Sequence, residues 1–135
     1  MSEQIRRVLL DTSVVIAPPP DDPAAVADAV SVSAITVAEL HYGLGTAADP
    51  VEQHRRRERL RLVTDTYDVL PFDVEAAETY GLLANLVRGA GRDPRPRRLD
   101  LLIAATAVRH GVPLATRNAA DFRHLDRVLS VVPVG

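Results

Sequence analysis

The sequence of 135 residues predicts an α/β fold with a short, mainly parallel central sheet and helices on both faces. Three observations carry this. Short runs rich in Val, Leu and Ile alternate with longer stretches of helical pattern, which is the rhythm of strand-helix-strand units. Most of these runs lack polar alternation, as strands covered on both faces do. The length is close to the roughly 150 residues of one domain, and the 47% hydrophobic and 25% charged composition is that of a chain with a core. One domain over 1-135 is therefore expected, and disorder is excluded as the main state.

The elements follow in order. Arg7 to Leu10 reads as the first strand. Pro23 opens a helix over Ala24 to Ala29, and Val30 to Ser33 is the second strand. Ser33 then caps a helix to about Leu44, which Gly43 and Gly45 help to end. Asp49 with Pro50 makes a cap and first-turn pair for an Arg-rich helix to about Val63. After a third strand over Asp68 to Phe72, Asp73 caps a helix with Glu75 in its first turn, closed by Gly89 and Gly91. Leu99 to His110 is apolar on nearly every side and predicts a buried helix, stopped by Gly111 and Pro113. Leu114 to Thr116 and Ser130 to Val134 complete the strands. Pro71 and Pro133 have no N–H and belong at strand ends or on an edge. Pro18 to Pro23 and Arg92 to Arg98 read as loops.

Composition removes several functions. Without cysteine there is no disulfide, thiolate metal site or cysteine nucleophile. No run of about 18 apolar residues is present to span a bilayer. The stretch Val8 to Ala17 after Arg6-Arg7 only imitates a signal peptide, because it carries Asp11 and runs into Pro18-Pro19-Pro20. The reading is cytoplasmic. Net charge is -2, and all 16 basic residues are Arg. Glu52 to Arg61 carries +3 and Arg88 to Arg98 carries +4, leaving -9 for the rest. Two basic patches on an acidic remainder would steer an anionic polymer, although on the charge alone a solvated helix face is the more ordinary explanation of such arginines.

Four carboxylates stand out from their surroundings. Asp11 ends the first strand between Leu9-Leu10 and Thr12-Ser13-Val14-Val15; Glu39 shares a helix stripe with Ile35 and Tyr42. Asp100 heads the face of Ile103, Ala104, Ala107 and Val108, and Asp121 follows the fourth strand between Ala120 and Phe122. Each has an ordinary explanation as a cap, a first-turn residue, a turn residue or a helix-edge residue reaching water. Together they point elsewhere, because ligands of parallel sheets gather at the carboxyl ends of the strands, where Asp11 and Asp121 lie. Clustered carboxylates in an apolar setting repel and require protons or a cation. Oxygen ligands alone favour Mg²⁺ or Mn²⁺, which suits phosphodiester hydrolysis by an activated water. The arginines would then hold the strand, with Arg95, Arg97 and Arg98 as the named candidates.

The ordered segments Leu9-Leu10-Asp11-Thr12-Ser13, Thr36-Val37-Ala38-Glu39-Leu40, Asp100-Leu101-Leu102-Ile103-Ala104-Ala105-Thr106-Ala107 and Thr116-Arg117-Asn118-Ala119-Ala120-Asp121-Phe122 resemble the PIN-domain family, and within it the VapC toxins of toxin-antitoxin pairs. The likeness covers almost the whole chain. It implies a PIN-like domain acting as a Mg²⁺- or Mn²⁺-dependent endoribonuclease, with Asp11, Glu39, Asp100 and Asp121 as the acidic site. It also implies supporting roles for Thr12, Thr116 and Asn118, a homodimer, and a VapB-type antitoxin that blocks the site. Pro18-Pro19-Pro20 with Asp21-Asp22 departs from the pattern by cutting short the helix after the first motif.

Other readings fit less well. A phosphoacceptor domain would also place an Asp at the end of its first strand, but both receiver domains and haloacid-dehalogenase-type phosphatases use a Lys, and the chain has none. Gly89-Ala90-Gly91 does not lead from a strand into a helix, so it is not a nucleotide loop. A PIN-like module that binds RNA or a partner without cutting remains as the alternative, opposed by the presence of all four carboxylates. His41, His54, His110 and His124 show no metal spacing and suit surface or helix-end positions. Tyr42, Tyr67 and Tyr80 suit core or rim packing better than base stacking.

Overall fold

In a computed structural model that describes residues 7–18 and 28–135, five strands form one parallel sheet in the order β3-β2-β1-β4-β5. The chain runs β1 (Arg7–Leu10), α1 (Thr12–Ile16), β2 (Ala29–Ser33), α2 (Ala34–Thr46), α3 (Pro50–Thr66) and β3 (Asp68–Leu70). It continues through α4 (Val74–Gly89), a 3-10 turn (Arg95–Arg97), α5 (Arg98–His110), β4 (Leu114–Thr116), a 3-10 segment (Ala119–Leu125) and β5 (Val131–Pro133).

Strand order dictates where the helices go. From β1 the chain moves outward through β2 to β3, then returns past β1 to β4 and β5. Right-handed crossovers place helices on opposite faces for these two directions. The core divides accordingly. Leu9 and Leu114 face α4, α5 and the 3-10 segment through Leu83, Ile103, Phe122 and Leu125. Val8, Leu10, Val32 and Ala115 face the other way, onto Val14, Val15, Leu40, Leu60 and Val63 of α1, α2 and α3. Both faces of β1 are dry, which is why its apolar residues are continuous rather than alternating.

Several boundaries differ from the expected ones. Residues 19–23 of the proline-rich loop and residues 24–27 of the helix expected over Ala24 to Ala29 lie outside the described residues. Ala29 itself is in β2, paired with Arg7. β3 ends at Leu70 rather than Phe72, because Pro71 has no N–H with which to extend the ladder. β5 is trimmed to Val131–Pro133, with Pro133 on the edge strand where its missing donor is tolerated. Gly43 and Gly45 do not stop α2, which runs to Thr46. There the Gly43 carbonyl accepts from the Thr46 hydroxyl at 3.0 Å and from Arg56 at 2.6 Å, so the last turn is satisfied by side chains. The Arg92 to Arg98 stretch, expected as loop, holds the 3-10 turn and the first residue of α5. Ser33, Asp49 and Asp73 cap their helices as expected, each accepting a backbone N–H. Gly111 ends α5 at φ 67°, a conformation that favours glycine.

Candidate active site

The strand order reverses between β1 and β4, the place where a parallel sheet opens a crevice at its carboxyl edge. Asp11 stands there. Its N–H bonds the Ala115 carbonyl at 2.9 Å, which ties the residue to the end of β4, and it caps α1. The residue is only 4% exposed. Its carboxylate accepts from the Thr12 N–H at 2.9 Å, the Ser13 hydroxyl at 3.1 Å and the Thr116 hydroxyl at 2.8 Å. Three donors hold the charge where burial alone would expel it.

Glu39 comes from α2, the helix that β2 launches. Its Oε1 accepts from the Thr12 hydroxyl at 2.8 Å, so Thr12 bridges the two acidic residues, by its N–H to Asp11 and by its side chain to Glu39. With that proton committed, the 2.9 Å contact of Thr12 with Thr36 requires the Thr36 hydroxyl to donate. Burial pushes the Glu39 carboxyl above its usual value, against the Thr12 hydrogen bond, and the charges of Asp100 and Asp11 push it further. Asp100, in the first turn of α5, is also raised, first by burial and then by Asp11, with Asp121 adding to this and Arg97 opposing it. Asp11, Glu39 and Asp100 therefore act on one another, and Asp121 joins them through Asp100.

Arg97 modifies the picture. Its guanidinium lies 2.6 Å from Asp121 and 3.7 Å from Asp100, so the 3-10 turn before α5 delivers a positive charge to the edge of the cluster. Arg95, another RNA-binding candidate, pairs with Asp93 at 3.0 Å. Arg98 is exposed and has no ion pair among the described residues. Asn118 contributes through its backbone, its N–H bonding the Thr116 hydroxyl at 3.1 Å and its carbonyl accepting from Asp121. Ser13 and Thr36 join the site without having stood out in the sequence. Thr36 had a signal, since it lies three residues before Glu39 on the same helix face. Tyr42, expected to pack, is 77% exposed because it stands away from the Val37, Leu40 and Leu44 face by which α2 meets the core. Tyr67 and Tyr80 pack against the two cores as expected.

No group of three or more His, Asp or Glu side chains among the described residues is arranged to hold a metal ion outright. The donor set nevertheless fits a hard divalent ion in its chemistry: carboxylate oxygens, no sulfur, and two raised carboxyls that a cation would relieve. Arg97 supplies part of that counter-charge here. Residues Asp11 and Asp100, with Glu39 and Asp121 around them, are those that would take such an ion.

Thr116 should prove a positioning residue. It is fully buried and spends its hydroxyl on Asp11 and Asn118. Thr116→Val should lower any activity of the site by about tenfold to a hundredfold and cost about 1–2 kcal/mol in stability, with Thr116→Ser restoring both. A chemical denaturation series beside the activity assay checks this.

A PIN domain model matches residues 8–128, and this chain belongs to the PIN-domain family. Its relatives within that family include ribonuclease VapC5 of Mycobacterium tuberculosis, 36% identical over 126 residues that cover 91% of this chain and 90% of that protein. VapC ribonuclease Y4jK of Sinorhizobium fredii is 40% identical over 95 residues, 67% of this chain and 65% of that protein. Among solved structures, the crystal structure of VapBC-5 from M. tuberculosis, a member of the VapBC family of toxin-antitoxin systems, superposes with a TM-score of 0.79 at 34% identity, covering 95% of this chain and 97% of that one.

Proposed function

We propose that this chain is an endoribonuclease toxin of the VapC kind, hydrolysing RNA phosphodiesters with a water activated at the Asp11 crevice. The observation that carries the reading is the coupling of Asp11, Glu39 and Asp100 at the sheet's switch point, with Asp121 joined through Asp100 and with Glu39 and Asp100 both raised. Asp11, tied by three donors, is the fixed anionic floor. Glu39, raised and held by Thr12, is suited to taking a proton from the attacking water. Mg²⁺ or Mn²⁺ at Asp11 and Asp100 would supply the charge that lowers the water's pKa and offsets the leaving oxygen. Arg97 stands at the rim, where the phosphate's negative charge arrives.

Charge placement supports an RNA substrate. The cluster lies between two hollows of about 320 Å³ each, one shared with Glu39 and lined by Arg56 and Arg59, the other shared with Asp121 and lined by Arg92 and Arg123. A single strand crossing the acidic residues would meet arginines on both sides. The relatives named VapC, and the VapBC assembly that shares the fold, support a VapB-type antitoxin as partner. A homodimer and a cytoplasmic location complete the proposal; no helix of the described residues is long and apolar enough to cross a membrane.

The test is incubation of purified protein with total cellular RNA, with Mg²⁺ or with a chelator, followed by sequencing of the new ends. Discrete cleavage with Mg²⁺ that the chelator abolishes is expected. RNA that is bound but intact with Mg²⁺ and Mn²⁺ would establish the non-cleaving module instead.

A further inference from the structure

We propose that the hollow beyond Asp121 is a nucleotide subsite for the RNA residue flanking the scissile phosphate, Arg92 and Arg123 holding its phosphate and the wall of Val87, Pro96 and Leu101 receiving its base. The inference rests on the ribonuclease reading above and extends it to a binding site outside the carboxylates.

The hollow of about 320 Å³ lies between the end of α4, the 3-10 turn and the 3-10 segment, and it shares Asp121 and Arg97 with the acidic crevice. Anything filling it is therefore continuous with a ligand at that crevice. Its charges do not cancel. Arg97 is taken by Asp121, and Asp93 is taken by Arg95 through both carboxylate oxygens. Arg92 and Arg123 remain, each without an ion-pair partner among the described residues, with the half-buried His124 ring beside them. Two uncompensated guanidiniums in one concavity form an anion site, and the planar fork of arginine matches phosphate oxygens.

The rest of the wall says which anion. Val87 and Pro96, backed by the buried Leu101, are apolar and offer nothing to a free inorganic ion, but they give a base an apolar surface to lie against. The volume sits at the lower end of the roughly 300 to 1,000 Å³ of small-ligand sites, a size for one nucleotide. The hollow beside Glu39 does not carry the same argument. There Arg56 is engaged by Glu52 at 3.1 Å and by the Gly43 carbonyl, leaving Arg59 alone.

The test measures binding of a short, labelled, single-stranded RNA of mixed sequence by fluorescence anisotropy over a range of salt, in the Asp11→Asn background so that it is not cut. Adding Arg92→Ala with Arg123→Ala should weaken binding by about tenfold or more and flatten the salt dependence by about 0.7 in log–log slope for each phosphate no longer neutralised. AMP should displace the RNA at lower concentration than inorganic phosphate does, and oligoglutamate should not displace it. Unchanged affinity and slope in the double variant would overturn the subsite. So would oligoglutamate competing as well as AMP, which would make the hollow a dock for an acidic protein segment. Both arginines are exposed, so melting temperatures should match and a folding defect is separable. If the unaltered chain cuts no RNA with Mg²⁺ while RNA binding still requires Arg92 and Arg123, the nuclease reading falls, and the hollow stands as a nucleotide-binding site beside the acidic crevice with no scissile phosphate to flank.

Discussion

Asp11→Asn is expected to reduce RNA cleavage by about 10³-fold or more while RNA binding holds or tightens. Asn keeps one oxygen to accept from the Thr12 N–H, so the cap of α1 survives, and the backbone bond from the Asp11 N–H to the Ala115 carbonyl still ties the residue to β4. Its NH2 takes the place of the oxygen that Ser13 and Thr116 donate to, so those hydroxyls must turn to accept. What disappears is the charge. Without it the pull on a cation weakens, and the coulombic push of Asp11 on Glu39 and Asp100 is gone. Both carboxyls should then move toward their ordinary values, Asp100 more than Glu39, whose rise comes first from burial and then from Asp100. Less negative charge at the crevice also repels the phosphodiester less. Cleavage rates and anisotropy on the same protein separate the two effects, and cleavage at the unaltered rate would remove Asp11 from the mechanism.

The second large effect is on stability, through pH and divalent ions. Glu39 and Asp100 have folded pKa values above the ordinary 4.5 and 3.8. The folded state therefore binds more protons than the unfolded one across that interval, and the contribution of these two groups to stability falls as pH rises through it. The penalty is absent below the ordinary values and complete above the raised ones. Near neutral pH a divalent ion would relieve it. At a Mg²⁺ or Mn²⁺ concentration about a hundredfold over the dissociation constant, mass action adds about 2.7 kcal/mol, a rise in Tm of about 10 °C. Asp100→Asn should abolish most of that rise and itself raise the metal-free Tm at about pH 7.5, the latter gain fading on acidification toward pH 4 or so. The opposing groups Asp73 and Asp93, both lowered and both on the surface, are common to the two proteins and cancel in the comparison. Thermal melts of both proteins with and without the ion at two pH values decide the matter. An equal metal-induced rise in the Asn variant would place the ion elsewhere.

Much of the fold is legible in apolar runs and caps, because these are local. The four serviceable markers are Ser33, Asp49, Asp73 and Gly111, each of which solves a backbone problem within its own helix end. Strand ends are harder, since a strand lasts only as long as its neighbour does. β3 and β5 sit at the sheet edges with one partner each, and both stop earlier than their apolar runs. The acidic residues are legible because a carboxylate inside an apolar stretch is conspicuous in a sequence. Their environment is not. In the sequence Arg97 is one of five clustered cations, and only the 3-10 turn ahead of α5 brings it to Asp121. Arg92 and Arg123 are distant in sequence and lie in one hollow because α4 and the 3-10 segment pack together. Thr36 acts through Thr12 on Glu39, a relay across two helices that no local pattern encodes.

The most direct examination of the central idea is anomalous diffraction from crystals of the protein soaked in Mn²⁺. The expected result is a manganese peak coordinated by the side chains of Asp11 and Asp100, absent from crystals of Asp100→Asn. Manganese bound away from Asp11 and Asp100 in a preparation that cleaves RNA would contradict it.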